Sequence, residues 1–181
     1  MDSALPPCET SGWGPAASAT VAGMPEVRVV SVAPQSFAGV RRAVQQPNVT
    51  RELMASLDTV WSVIRARGLD RRGRMVAVYR KLDGGTIGME CGVEVCGPFA
   101  PEGEVQLLTT PGGVAAYATH VGSVQRIGET YRLIDEWLQG RGTSPLGVSW
   151  EIYGHADEIT GAFDIELFVL LPPGAETPAS L

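Results

Sequence analysis

The order of apolar and polar positions along the chain predicts several strands. The segments are residues 27–33, 75–80, 87–95, 104–109, 113–121, 148–154 and 162–171. Most of them are rich in β-branched and aromatic side chains, which favour strands, and the alanine-rich segment 113–121 is the weakest. Asp83, Gly84 and Gly85 separate the second and third segments and are typical of a hairpin turn. The chain therefore contains at least one antiparallel strand pair.

Two segments instead have apolar residues at three- and four-residue spacing, which predicts helices. The first helix is predicted over residues 50–67, with Gly68 where a helix commonly ends. The second has Ser123 as its N-cap and ends at Gly140. Residues 37–44 are predicted to be a connection. The stripe of the second helix consists of Val124, Ile127, Tyr131, Ile134 and Leu138.

Strand–helix–strand–strand thus occurs twice, with the first strands about 87 positions apart. Each half can pack its helix on one face of its antiparallel strands. We therefore predict an α+β fold in which duplicated β-α-β-β halves form an antiparallel sheet. The helices are expected on one side of the sheet and a ligand cleft on the other.

Length and charge limit the classes of function. The 181 residues suit one domain, with residues 1–25 predicted as a flexible leader, 26–173 as the domain and 174–181 as a tail. A net charge of −6 disfavours direct nucleic-acid binding. Five arginines cluster near the end of the first helix and are expected to form a solvated surface: Arg65, Arg67, Arg71, Arg72 and Arg74.

Neither a membrane span nor a secretory signal is predicted, because no apolar run approaches the ~20 residues needed to cross a bilayer. The three cysteines, Cys8, Cys91 and Cys96, have no CxxC spacing, and His120 has no partner at metal-ligand spacing. We therefore expect reduced thiols, a cytoplasmic protein, no metal and no cofactor.

Carboxylates on otherwise apolar strands are the candidate functional residues. Side chains alternate along a strand, so Glu151 and Tyr153 share one face, and Glu166 and Phe168 share one face of the next strand. With a turn centred near Glu158, these two faces coincide and bring Glu151 opposite Glu166. This face is either exposed to solvent and without a function, or a surface that binds flat, apolar cations through charge and aromatic contact.

Tyr79 and Tyr117, on other strands, either contribute to this surface or pack in the core. The opposite face of the final hairpin, which includes Trp150, is expected to meet the helices.

Several segments in this order resemble the GyrI-like small-molecule-binding family, which also forms the effector domain of some AraC- and MerR-type regulators. They are LDTVWSVIRARG at residues 57–68, VAVYR at 76–80, YATHVG at 117–122, GETYRLIDEWL at 128–138, WEIY at 150–153 and DIELFVLLP at 164–172. The resemblance implies a ligand cleft in which Glu151 is central and Glu166 and Phe168 lie beside it. Some stand-alone members of the family resemble hydrolases that open the cyclopropane rings of DNA-alkylating natural products, using acidic and aromatic groups of the cleft.

Three functions follow as hypotheses. The first is a stand-alone, multidrug-type protein that senses or sequesters a flat, hydrophobic, cationic ligand. The second is a hydrolase of cyclopropane-containing xenobiotics, with Glu151 as general base and Tyr117 or Tyr153 polarising the substrate. The third is a gyrase-modulating or other protein-interaction module, which would have a protein partner.

Overall fold

The computed structural model describes residues 25–69, 71–156 and 163–175 of the chain. The predicted leader and tail lie almost entirely outside these residues. The described elements are β1 (Arg28–Val32), β2 (Ser36–Gln45), α1 (Val49–Arg67), β3 (Arg71–Lys81), β4 (Thr86–Val95), β5 (Gln106–Thr109), β6 (Gly113–Gly122), α2 (Ile127–Gly140), β7 (Val148–Ala156) and β8 (Phe163–Leu170). An α+β fold with an antiparallel eight-stranded sheet and two helices is confirmed.

Both helices form where the apolar spacing predicted them, within three residues. Gly68 ends α1 in the left-handed conformation (φ 59°), which glycine adopts without a steric penalty. The second helix begins later than predicted, because a turn of 3₁₀ helix separates Ser123 from Ile127.

The segment expected to be a connection, residues 37–44, is instead most of β2. Two consecutive arginines hide its strand alternation in the sequence. Arg41 binds Glu90 at 2.8 Å and Arg42 binds Glu104, so each has a partner on its own side of the strand. With β2 recognised, the halves are β2-α1-β3-β4 and β6-α2-β7-β8. Their offset is 77 positions, between Ser36 and Gly113, rather than 87.

The strands close into a ring. The sheet order is β1-β6-β8-β7-β3-β4-β2-β5, but β1 and β2 are two parts of one kinked long strand, and so are β5 and β6. β1 pairs with β6 from Arg28↔Tyr117 to Val32↔Gly113. β2 pairs with β5 from Ser36↔Thr109 onwards, and the register does not change between the two pairings. Two hydrogen bonds between Gln35 and Thr110, both 2.9 Å, span the kink. The two long strands therefore close a barrel that leaves few free edges.

Aromatic side chains fill the inside of this ring. Phe37, Trp150 and Phe168 are fully buried there in a cluster with no helix residue. The Trp150 and Phe168 rings stack with centroids 4.9 Å apart. Trp150 was expected to face the helices, and this is wrong. The helix-free face, where we expected the cleft, is the packed interior of the ring.

Both helices lie on the outside of the ring. α1 packs over β2 and β4, and α2 packs over β6. The outer faces of β3 and β7 therefore lie between the two helices, and we call them the inter-helix strip. No helix in the described part of the chain is both long and apolar enough to cross a bilayer.

Candidate functional site

A buried glutamate lies in the inter-helix strip. Glu151, on β7, is only 4 % exposed. The hydroxyl of Tyr131 on α2 donates to its Oε1 at 2.9 Å, and the hydroxyl of Tyr153 donates to its Oε2 at 2.6 Å. Tyr79 on β3 makes a longer contact with Oε2, at 3.4 Å. One carboxylate thus joins the two central strands to α2, and we call these four residues the tyrosine cage.

The surroundings of Glu151 explain its electrostatics. Its strand neighbours are Ala77 and Leu167, both buried and apolar. Burial raises the pKa of Glu151, and the hydroxyl donors offset only part of this rise. Burial and the nearby carboxylate also raise the pKa of Tyr79, and of the other two tyrosines of the cage. The three hydroxyls therefore keep their protons and act as donors.

This buried charge predicts a pH-dependent gain in stability for Glu151→Gln. The folded pKa lies above the unfolded one, so the unfavourable contribution is absent below the unfolded pKa and complete above the folded pKa. We expect Glu151→Gln to melt a few degrees above wild type at pH 8, since about 1 kcal/mol corresponds to about 2–4 °C in a domain of this size. Thermal unfolding followed by circular dichroism should show this difference shrinking towards pH 4.5. A lower melting temperature for Glu151→Gln at pH 8 would contradict the assignment.

Glu166 and Phe168 do not lie beside Glu151. In the final hairpin Glu151 pairs with Leu167, and Ile152 pairs with Glu166. The two glutamates therefore point to opposite faces of the sheet, contrary to the prediction. The reason is a register shift between Tyr153 and Ala156, because a shift of one residue exchanges the faces.

Glu166 belongs to a separate ionic network on the inner face of the ring. Arg74 donates to both oxygens of Glu94, at 2.7 and 2.8 Å, and to Glu166 at 3.1 Å. The Tyr117 hydroxyl donates to Glu166 at 3.3 Å and contacts Thr119 at 2.8 Å. Burial raises the pKa of Glu166, while the charge of Arg74 lowers it. This network supplies its own counter-charge.

The structure therefore divides the six predicted residues. Glu151, Tyr153 and Tyr79 lie together in the tyrosine cage, whereas Glu166, Phe168 and Tyr117 lie inside the ring. Sequence reasoning missed two participants. Tyr131 was one of the apolar stripe of α2, and nothing in its spacing indicated a carboxylate partner. Arg74 was placed on a solvated surface, but its side chain is only 22 % exposed because two glutamates bind it.

His120 has a structural role among the described residues. His120 is buried, its Nε2–H donates to the Ser123 carbonyl at 2.9 Å, and its Nδ1 is hydrogen-bonded to the hydroxyl of Thr130 on α2, also at 2.9 Å. It thus fixes the start of α2 against β6. No cluster of metal-ligating side chains occurs within residues 25–69, 71–156 and 163–175.

Two described cysteines differ in state. Cys91 is a buried free thiol, and Cys96 is disulfide-bonded, so the expectation of reduced thiols is wrong for Cys96. Spacing along the chain does not restrict which cysteines meet in space. Cys8 lies outside the described residues.

Comparison with known proteins gives one family match. Residues 25–169 match the model described as "GyrI-like small molecule binding domain". A search of curated protein sequences gives no match.

Solved structures share the fold at low sequence identity. The EcmrR C-terminal domain is 14 % identical with a TM-score of 0.67, over 83 % of this chain and 99 % of that one. The alignment spans 56 % of the longer EcmrR chain in a DNA complex. SAV2435, solved with bound tetraphenylphosphonium, is 9 % identical with a TM-score of 0.52, over 82 % of this chain and 94 % of that one. A hydrolase from Listeria innocua is 10 % identical with a TM-score of 0.50, over 81 % and 92 %.

Proposed function

Because this chain belongs to the GyrI-like small molecule binding domain family, we propose that it binds a flat, hydrophobic cation of the multidrug type at the tyrosine cage. Its role would be to sense or to sequester that molecule. Glu151 would supply the charge, and Tyr79, Tyr131 and Tyr153 the aromatic contacts.

The missing counter-charge of Glu151 is the observation that carries this proposal. None of the ion pairs among the described residues includes Glu151, although each carboxylate of the inner network has an arginine. A buried carboxylate without a cation is unfavourable. A cationic ligand would remove that penalty and would also gain from the electron-rich faces of the tyrosines.

Two further observations support a lipophilic cation over a neutral ligand. The strip around Glu151 is bordered by apolar residues such as Ala77 and Leu167, which favour a ligand with a large apolar surface. The structural relative SAV2435 was solved with tetraphenylphosphonium, a cation of this chemistry.

The proposal is tested by calorimetric titration of tetraphenylphosphonium into wild type and Glu151→Gln. We expect the variant to bind at least about tenfold more weakly, because losing a charge partner in a buried site typically costs more than 1.4 kcal/mol. Glu166→Gln is the matched control, since it removes the same charge from the other face of the same sheet. It should leave the dissociation constant unchanged. Absence of binding to wild type, or equal binding to Glu151→Gln, would refute the proposal.

Hydrolysis is a second candidate, favoured by the raised pKa of Glu151, which suits a general base. Glu151 would take a proton from a water molecule as the water oxygen bonds to a ring carbon. The strained C–C bond would break, and its electron pair would then take up the proton held by Glu151. Tyr153 could polarise the substrate, whereas Tyr117 lies on the wrong face of the sheet. Three hydroxyl donors weaken a carboxylate as a base, so we place binding first. The test monitors a cyclopropane-containing alkylator by mass spectrometry. Consumption of this compound by wild type but not by Glu151→Ala would place hydrolysis first.

The cytoplasmic location and the lack of direct nucleic-acid binding also remain proposals. The net charge of −6 supports the second. A gel-shift assay with duplex DNA, with and without tetraphenylphosphonium, would test it, and a shifted band in either lane would overturn it.

A further inference from the structure

The acceptor capacity of Glu151 is already largely filled by the protein itself. An ionised carboxylate has about four lone-pair sites. Tyr131 occupies one on Oε1, and Tyr153 and Tyr79 approach Oε2. Three of the four sites are therefore taken, and about one acceptor site of this buried residue is left for a ligand. The charge of Glu151 is available to a ligand, but its hydrogen-bonding capacity mostly is not.

The tyrosine hydroxyls are held in this role. Tyr153 is buried and its 2.6 Å bond is short, as expected for a donor to a charged acceptor. Turning a hydroxyl away from Glu151 to admit a ligand N–H would give up a charge-assisted hydrogen bond. Such a bond is among the stronger ones in a protein interior.

Two types of organic cation differ in what they demand of such a site. A protonated primary amine carries three N–H donors, each of which needs an acceptor after it leaves water. A quaternary ammonium or phosphonium ion carries none and interacts only through charge, dispersion and the tyrosine faces. The filled carboxylate therefore suits the second type.

We propose that the tyrosine cage selects cations without N–H groups, such as quaternary ammonium and phosphonium ions, over protonated primary amines of the same shape. This rests on the proposed function and defines its ligand class. The selecting feature is the saturation of Glu151 by hydroxyl donors, with Tyr131 as the specificity-determining residue because it alone occupies Oε1 among the described contacts.

The test compares two probes, (4-biphenylmethyl)trimethylammonium and (4-biphenylmethyl)ammonium, titrated at pH 7.5 into wild type and Tyr131→Phe. In wild type the trimethylammonium probe should bind about tenfold more tightly or better, the typical cost of a buried unsatisfied donor. Tyr131→Phe keeps the aromatic ring and frees an acceptor site on Oε1. The ratio of the two dissociation constants should therefore fall by up to about tenfold, through tighter binding of the primary ammonium probe.

Two further variants separate this effect from a general loss of hydroxyls. Tyr79→Phe should change the ratio less than Tyr131→Phe, since its contact is 3.4 Å long rather than 2.9 Å. Tyr117→Phe removes a hydroxyl bound to Glu166 on the other face and should not change the ratio. Circular dichroism verifies that each variant is folded, and Tyr79→Phe carries the test if Tyr131→Phe is not.

The outcomes are distinct. If Tyr131→Phe instead weakened binding of the ammonium probe selectively, the tyrosine oxygens would be the acceptors for that probe. This result would overturn the inference. Equal binding of both probes to wild type, lost in Glu151→Gln, would also overturn it while leaving the proposed function intact. Binding of neither probe, together with no binding of tetraphenylphosphonium, would mean that the proposed function itself fails.

Discussion

Replacing Trp150 with alanine should destabilise the protein by about 3–5 kcal/mol, the usual cost of truncating a fully buried tryptophan. Trp150 is 1 % exposed inside the ring and stacks on Phe168. The paired strands of the barrel wall restrict collapse into the space that the indole leaves. Because the total stability of a domain is typically about 5–15 kcal/mol, this loss is a large part of it. Urea unfolding followed by circular dichroism measures the change.

Trp137 offers a matched control for this truncation. It lies on α2, is only partly buried, and has the Arg141 guanidinium 4.3 Å above its ring. Trp137→Ala should therefore cost clearly less than Trp150→Ala. Equal losses in the two variants would show that the inside of the ring is not the main core of the fold.

Replacing Arg74 with methionine should destabilise the protein by about 3 kcal/mol at pH 8, because it leaves two carboxylates without a counter-charge. Glu94 is 2 % exposed and receives two hydrogen bonds from Arg74. The charge of Arg74 also lowers the pKa of Glu166, so that pKa should rise further in the variant. A carboxyl whose folded pKa is raised makes no unfavourable contribution below its unfolded pKa and destabilises the protein fully above its folded pKa. The deficit should therefore shrink from pH 8 to pH 5.

Arg67→Met is the control for the arginine. Its ion pair with Glu102 is exposed, at 41 % and 45 % of the two side chains, and exposed pairs contribute about 0–1 kcal/mol. Urea unfolding of both variants at the two pH values gives the comparison. A deficit for Arg74→Met that is independent of pH, or no larger than that of Arg67→Met, would contradict the role of the inner network.

Most elements of this fold can be predicted from the sequence because they follow local rules. α1 has one apolar stripe and a glycine stop, and the strands other than β2 alternate or are rich in β-branched residues. β2 was not predicted as a strand because Arg41 and Arg42 interrupt the alternation of apolar and polar residues. Their partners, Glu90 and Glu104, are distant in sequence. Closure of the ring also depends on distant pairing, which no local pattern encodes.

The candidate site was predictable only in its centre. Glu151 was identified because a carboxylate on an apolar strand is unusual, and Tyr153 follows from alternation along the same strand. The register shift after Tyr153 could not be seen, and it moved Glu166 to the other face. Tyr131 reaches Glu151 across the helix–sheet interface, a contact set by how α2 rests on β6 and not by its spacing.

The unbroken pairing of the two long strands also bears on how such a chain could have arisen. The first half alone, ending with β4, has a long strand whose natural partner lies in the second half. Two identical copies of a half could close the same ring by pairing their long strands with each other about a twofold axis. A single chain would then descend from a homodimer, and residues 96–105 would be the segment that joined the two copies.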